Sequence, residues 1–174
     1  QKVFELRLAQ EILGEIEFQS AKAKLSRRLN CVQPIINTSG YLELTAARHP
    51  LLEINLHENP SERSPQEIVP TSIHLGGQFN TILITGPNTG GKTVVLKTVG
   101  LLSLMAQSGL HIPAQKGSEL PIFEHVFADI GDEQSIDQNL STFSSHMTKI
   151  IAMQEKANQN TLVLLDEIGA GTDP

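Results

Sequence analysis

The chain has 174 residues, of which 39% are apolar, and carries a formal net charge of -6. That length supports one domain with a hydrophobic core, and the composition excludes a disordered or collagen-like chain. Its apolar runs are short compared with the roughly 20 residues that span a bilayer, so no membrane partner is predicted. The acidic balance argues against a broad face that grips a phosphate backbone. The single cysteine, Cys31, is predicted to be a small buried apolar side chain, and the absence of disulfide partners fits a reducing cytoplasm.

Residues 1 to about 30 are predicted to form a long helix, because helix-favouring residues dominate and apolar residues recur one turn apart at Leu8, Ile12 and Ile16. Two short strands are expected between residues 31 and 54. Residues 57–71, with three prolines and many polar side chains, are predicted to be a loop.

From Ser72 onward, apolar strands and helices alternate. The expected elements are a strand at 81–85, a nearly all-apolar and therefore buried helix at 91–107, a strand at 122–130, a helix at 141–158 and a strand at 161–167. Such alternation predicts an α/β fold with a mostly parallel sheet.

The sequence GPNTGGKT at residues 86–93 fits the phosphate-binding pattern G-x-x-x-x-G-K-[ST] and stands between a predicted strand and a predicted helix. Glycines let backbone N–H groups approach phosphate oxygens, and the following helix adds its partial positive charge. Lys92 can reach the β- and γ-phosphates, and the Thr93 hydroxyl suits Mg²⁺. This loop predicts a nucleotide site.

Asp166 and Glu167 follow the apolar run TLVLL at the end where ligands bind in open parallel sheets. Asp166 can complete the Mg²⁺ shell, and Glu167 can orient and deprotonate an attacking water. A pair of acids after a strand is common by itself, so this interpretation depends on the phosphate loop earlier in the chain. A water-activating Glu167 also favours hydrolysis over small-molecule kinase chemistry.

The stretch LSTFSSHM begins the second predicted helix, with Ser141 or Thr142 as its N-cap, and a capped helix start is a second anion site. Asp129 belongs to an acidic stretch that ends at Asp137 and is interpreted as a polar connection rather than a metal site. The six histidines lack paired ligand spacing and are interpreted as non-ligands.

The segments TGPNTGGKT, STFSSHM and LLDEIGAGTDP together resemble the ATPase domain of the MutS family, in order and approximate spacing. ARHPLL, at residues 47–52, resembles the family's lead-in to that domain. Thr89, Thr93 and Leu140 stand where mismatch-recognising members typically carry other residues, which favours the second bacterial branch, the members without a mismatch-reading domain. The resemblance covers the chain from about Leu29 to Pro174.

The resemblance implies a P-loop NTPase fold of ABC-like type, with a mostly parallel sheet flanked by helices and preceded by the long N-terminal helix. It implies ATP and Mg²⁺ as cofactors, Lys92 and Glu167 as catalytic residues, and Thr93 and Asp166 as metal ligands. Its nucleotide contacts would be Gly86, Pro87, Asn88, Thr89, Gly90, Gly91, Lys92, Thr93 and Val94.

It further implies a homodimer in which Ser141 and Thr142 contact the γ-phosphate held by the other subunit, while Gln134 lies in a linker that senses that phosphate. Residues 169–173 would cross the dimer interface. Adenine would lie against Ile68 or Val69. The implied clients are branched or recombining DNA and stalled ribosomes, both contacted outside this segment.

The family's ATPase domain continues beyond GTDP. Residues 1–30 are therefore expected to be the tail of the family's helical lever, and residues 31–174 the N-terminal portion of an ATPase domain of a bacterial cytoplasmic protein. In isolation this portion is expected to bind nucleotide weakly and turn over little. A nucleotide-gated structural clamp, like the heads of chromosome-organising ATPases, is the alternative function; there binding rather than hydrolysis would be the working step.

Overall fold

The computed structural model describes residues 2–58, 68–87, 90–131 and 139–167, without the side chains of residues 57 and 139–145. Within these ranges the chain forms four α-helices and six β-strands. The mixture of helices and strands confirms the predicted α/β composition.

The long N-terminal helix is confirmed as α1, Lys2–Arg28. It contains no buried residue, and its apolar side chains at Leu8, Ile12 and Ile16 are about half exposed. Its C-terminal end joins the rest of the molecule, because Ser26 Oγ lies 2.8 Å from His111 Nδ1 and Leu29, just after the helix, is only 1% exposed.

A four-stranded sheet has the order β1-β4-β2-β3. Its strands are β1 (Ile35–Asn37), β2 (Leu42–Ala47), β3 (Thr71–Leu75) and β4 (Glu119–Pro121). β1 pairs with β4 in parallel, whereas β2 pairs antiparallel with both β3 and β4. The two strands expected between residues 31 and 54 are confirmed as β1 and β2. The sheet that they join is mixed, so the prediction of a mostly parallel sheet is wrong for this sheet.

A helix that the sequence analysis missed, α2 (Pro50–Glu58), follows β2. Pro50 occupies its first position, where the missing N–H of proline is tolerated. His49 caps the helix: its carbonyl accepts from Glu53 N at 3.1 Å and its Nδ1 accepts from Leu52 N at 3.4 Å. A proline at the first turn was the available signal.

The other described sheet consists of two parallel strands, β5 (His125–Asp129) and β6 (Thr161–Leu165), in a register that places Asp129 beside Leu165. They confirm the strands predicted at 122–130 and 161–167, each with shorter bounds. Both strands therefore end at the same edge of this pair.

Residues 81–85, predicted to be a strand, have no regular strand structure. Leu83 is 84% exposed and Ile82 is 37% exposed. β-branched composition favours a strand only where a neighbour supplies hydrogen bonds and packing, and no described strand pairs with this segment.

Helix α3, Lys92–Gln107, confirms the helix predicted after the glycine-rich sequence. Val99 and Leu102 on its inner face join a buried cluster with residues of both sheets, among them Leu120, Leu162 and Leu164. Val94 and Leu104 are 40% and 48% exposed, so α3 is buried along one face rather than on all sides.

Helix α4, Asn139–Lys156, begins two residues before the predicted start. Ser141 and Thr142 therefore lie inside its first turn, and the prediction that one of them is the N-cap is wrong. No helix in the described ranges is both long and apolar enough to cross a membrane.

Candidate functional site

The glycine-rich loop, residues 86–93, is described except for Asn88 and Thr89. A turn closes it, because Gly90 N donates to Pro87 O at 2.9 Å. Gly91 precedes α3 in a left-handed conformation, φ 78°, and no side chain caps the helix. A side chain at that φ would be strained, which explains the glycine. The start of α3 therefore places a helix N-terminus, which attracts anions, directly after the glycine-rich turn.

Lys92, the first residue of α3, folds back over the loop. Its Nζ donates to the Gly86 carbonyl at 2.6 Å, and Gly86 has a φ of 148° that is open to glycine. This contact places the ammonium group across the loop opening. A phosphate bound in the loop would therefore meet a positive charge that is already close to it.

Thr93 and Asp166 meet across 73 residues of sequence: Thr93 Oγ1 donates to Asp166 Oδ2 at 2.5 Å. Asp166 follows β6 directly, and α3 packs against β6 through a close approach at Gly100, where an added Cβ would lie 2.8 Å from Leu164 Cδ1. The packing of a helix on a strand therefore joins the loop to the carboxylate.

Glu167, the next residue, is exposed and has a left-handed backbone, φ 48°. For a residue with a Cβ this conformation is uncommon and costs roughly 1–3 kcal/mol, and such outliers concentrate at functional sites. The chain bends at Asp166 and Glu167, directly after β6.

A third acid at this edge, Asp129, was not assigned to the site by the sequence analysis. It ends β5, is 8% exposed, and its carbonyl accepts from Asp166 N at 2.9 Å. Its carboxylate contacts His146 Nδ1 at 2.5 Å and Lys149 Nζ at 3.6 Å, both on α4. The parallel pairing of the strands ending in Asp129 and Leu165 was the signal that could have placed it there.

The oxygen atoms of Thr93 and Asp166 suit a hard cation such as Mg²⁺, which binds proteins through one or two oxygen ligands and completes its shell with phosphates and water. Among the described residues no group of three or more His, Cys, Asp or Glu side chains could hold a metal alone. The two oxygen atoms at Thr93 and Asp166 are of the kind that would suit a magnesium ion bound together with phosphate groups.

Other predicted contacts stay untested. Ile68 is half-buried and Val69 is 82% exposed, and neither touches the loop in any described contact. The side chains of Ser141 and Thr142, and the residues Gln134, Asn88, Thr89 and 169–173, lie outside what the structure describes. The acids 132, 133 and 137 of the polar connection do so as well.

Comparison with known proteins identifies the family of this chain. Residues 82–174 match the family model for MutS domain V. The chain is 56% identical over 164 residues to endonuclease MutS2 of Caldanaerobacter subterraneus, covering 94% of this chain and 19% of that protein. It is 56% identical over 170 residues to putative endonuclease MutS2 of Bacillus subtilis, covering 98% and 20%.

Endonuclease MutS2 of Listeria monocytogenes is similar to the same degree, 56% over 163 residues. The chain spans about a fifth of the length of the curated relatives it matches. These matches confirm the resemblance to the MutS family and its second bacterial branch. By the match to more than half of its length, the chain belongs to the MutS domain V family.

Proposed function

We propose that this chain binds ATP with Mg²⁺ and forms the hydrolytic site of a MutS-family ATPase. The observation that carries the proposal is the hydrogen bond between Thr93 and Asp166, which brings the glycine-rich loop and the acidic pair to one place. Membership of the MutS domain V family supports the same function.

The loop would hold the phosphates of ATP. The N-terminus of α3 and the Lys92 ammonium would bind phosphate oxygens, with Lys92 leaving the Gly86 carbonyl that it contacts at 2.6 Å. Thr93 and Asp166 would hold Mg²⁺, which when bound would neutralise charge on the phosphates. Glu167, exposed beside them, would orient a water molecule and accept its proton.

In the complete protein this site would work in a homodimer, with Ser141 and Thr142 of one subunit reaching the γ-phosphate held by the other. The relatives named MutS2 are called endonucleases, and branched or recombining DNA is the client we propose; stalled ribosomes are a further proposed client. The protein would act in the bacterial cytoplasm.

The test compares Lys92→Ala and Glu167→Gln in the complete gene product. Lys92→Ala should abolish binding of a fluorescent ATP analogue, whereas Glu167→Gln should bind it normally but hydrolyse ATP at least about a hundredfold more slowly. Normal ATP binding and hydrolysis by the Lys92 variant would refute the proposal. Lys156→Ala, an exposed change at the end of α4, is the control and should alter neither quantity.

A further inference from the structure

Asp129 contacts two elements at once. Its main-chain carbonyl accepts from Asp166 N at 2.9 Å, and its carboxylate contacts His146 Nδ1 at 2.5 Å. The same carboxylate lies 3.6 Å from Lys149 Nζ. One nearly buried residue thus joins the end of β6, where the proposed catalytic acids begin, to helix α4.

The described side chains of α4, from residue 146 to residue 156, contribute little apolar packing. None of them is buried, and Met147 and Ile151 are 37% and 52% exposed. In this part of the helix the polar contacts to Asp129 are therefore the contacts best suited to fix its position. His146 and Lys149, three residues apart, lie on one face of α4 and both meet the carboxylate of Asp129.

The contact between Asp129 and His146 fixes the geometry of α4 as well as contributing to its stability. A hydrogen bond between a carboxylate and an imidazole fixes distance and angle, which apolar contacts do not, and a buried ion pair is seldom more stabilising than apolar residues of the same size. The pair stands at the edge of the sheet that carries Asp166 and Glu167. His146 is four residues from Thr142, or about 6 Å along the helix.

We infer that Asp129 and His146 are a positioning pair for the nucleotide site: they hold the first turns of α4 at a fixed place relative to Asp166 and Glu167. The inference rests on the proposed ATPase function. In this role neither residue would contact the nucleotide, and both would act through α4. Breaking the pair displaces α4 from the acids, so the hydrolytic step suffers while binding in the loop, which depends on Lys92 and α3, remains.

The test uses the complete gene product and four variants. His146→Ala removes the contact, and His146→Asn keeps a nitrogen near the position of Nδ1. Asp129→Asn removes the charge but retains the shape. Lys156→Ala changes an exposed residue on the same helix and is the matched control. Steady-state ATP hydrolysis gives kcat and KM, a fluorescent ATP analogue gives Kd, and circular dichroism gives the folded fraction of each variant.

We expect His146→Ala to lower kcat about tenfold to a hundredfold, the range that a displacement of about 1 Å produces, while KM and Kd change by less than about threefold. His146→Asn should recover most of kcat. Asp129→Asn removes the charge that faces His146 and Lys149 but keeps an oxygen acceptor, so it should lower kcat by less than His146→Ala. Because Asp129→Asn retains the side-chain shape and His146→Asn retains a nitrogen near the position of Nδ1, the comparison stands if the alanine variant folds poorly.

Three results would overturn the inference. The first is an unchanged kcat in folded His146→Ala or Asp129→Asn. The second is a loss of activity in proportion to the folded fraction without recovery in His146→Asn, which means that the pair only stabilises the fold. The third is an equal loss in Lys156→Ala. Failure of the proposed function itself appears separately, as normal nucleotide binding and hydrolysis in Lys92→Ala.

Discussion

Replacing Thr93 with valine removes the hydroxyl that donates to Asp166 and keeps the shape of the side chain. The oxygen atoms are 2.5 Å apart, within the range of short hydrogen bonds to carboxylates, and both side chains are half-buried. A hydrogen bond to a charged group contributes about 1.5–3 kcal/mol net. Because water can replace the hydroxyl at a half-buried site, we take the lower end, about 1.5 kcal/mol, or about a tenfold shift in the unfolding equilibrium.

The assay is a double-mutant cycle in urea, with Thr93→Val, Asp166→Ala and the double variant, in the absence of nucleotide and divalent cations. The expected coupling free energy between the two side chains is about 1–1.5 kcal/mol. Thr93→Ser, which retains the hydroxyl, should retain most of that stability. A coupling below about 0.5 kcal/mol would refute the reasoning, because the contact between loop and strand would then contribute nothing measurable.

Adding Mg²⁺ and ATP extends the same experiment to the site. A ligand at about 100 times its Kd stabilises the native state by about 2.7 kcal/mol. Wild-type protein should show stabilisation of this kind, and Thr93→Val should show less of it, since a proposed metal ligand is missing. Equal stabilisation of both proteins by Mg²⁺ and ATP would remove Thr93 from the metal site.

Three further tests concern His49, Cys31 and Gly100. Burial, followed by the charge of Lys97, lowers the pKa of His49 below 6.5. The unfolded state therefore binds more protons than the folded state, and stability should fall as the pH drops through the range just below 6.5. His49→Gln should flatten the dependence of the urea midpoint on pH between about pH 7.5 and about pH 5.5. Burial raises the pKa of the Cys31 thiol to about 11. Alkylation of this thiol by iodoacetamide at about pH 8 should therefore be about a hundredfold slower than in an unfolded control. An equal rate in the two samples would contradict the packing of that side chain. Gly100→Val should destabilise the folded protein by about 1–3 kcal/mol, because the added atoms meet Leu164. In Gly100→Ala, the roughly 1 kcal/mol gained in helix propensity should offset much of the strain. Equal unfolding midpoints for the two variants would show that the helix and the strand separate easily.

Local pattern predicted most of the helices and the loop. The glycine-rich loop and the helix after it were predicted within a residue, because a left-handed glycine, a lysine and a run of apolar residues are each required by the local geometry. The position of Asp166 and Glu167 directly after a strand was predicted, because the apolar run TLVLL ends just before them. α2 was missed, since its first turn depends on the unusual cap at His49.

Other features depend on partners that are distant in sequence. Residues 81–85 have strand composition but no described strand beside them, so composition alone gave the wrong result. The pairing of β2 with both β3 and β4 decided that the larger sheet is mixed. The position of Asp129 beside the acids depends on the register of β5 and β6, and its contact with His146 depends on the packing of α4.

The sequence by itself supplied the residues of the proposed chemistry: a glycine-rich loop proposed to hold phosphate, a hydroxyl and a carboxylate proposed to bind Mg²⁺, and a glutamate proposed to activate water. Those properties are local, because they depend on residue types and spacings within a few positions. The tertiary structure alone decided that Thr93 meets Asp166 and that Asp129 joins the acids to α4. Such contacts arise from the packing of α3 on β6 and from the register of parallel strands, which no short stretch of sequence specifies.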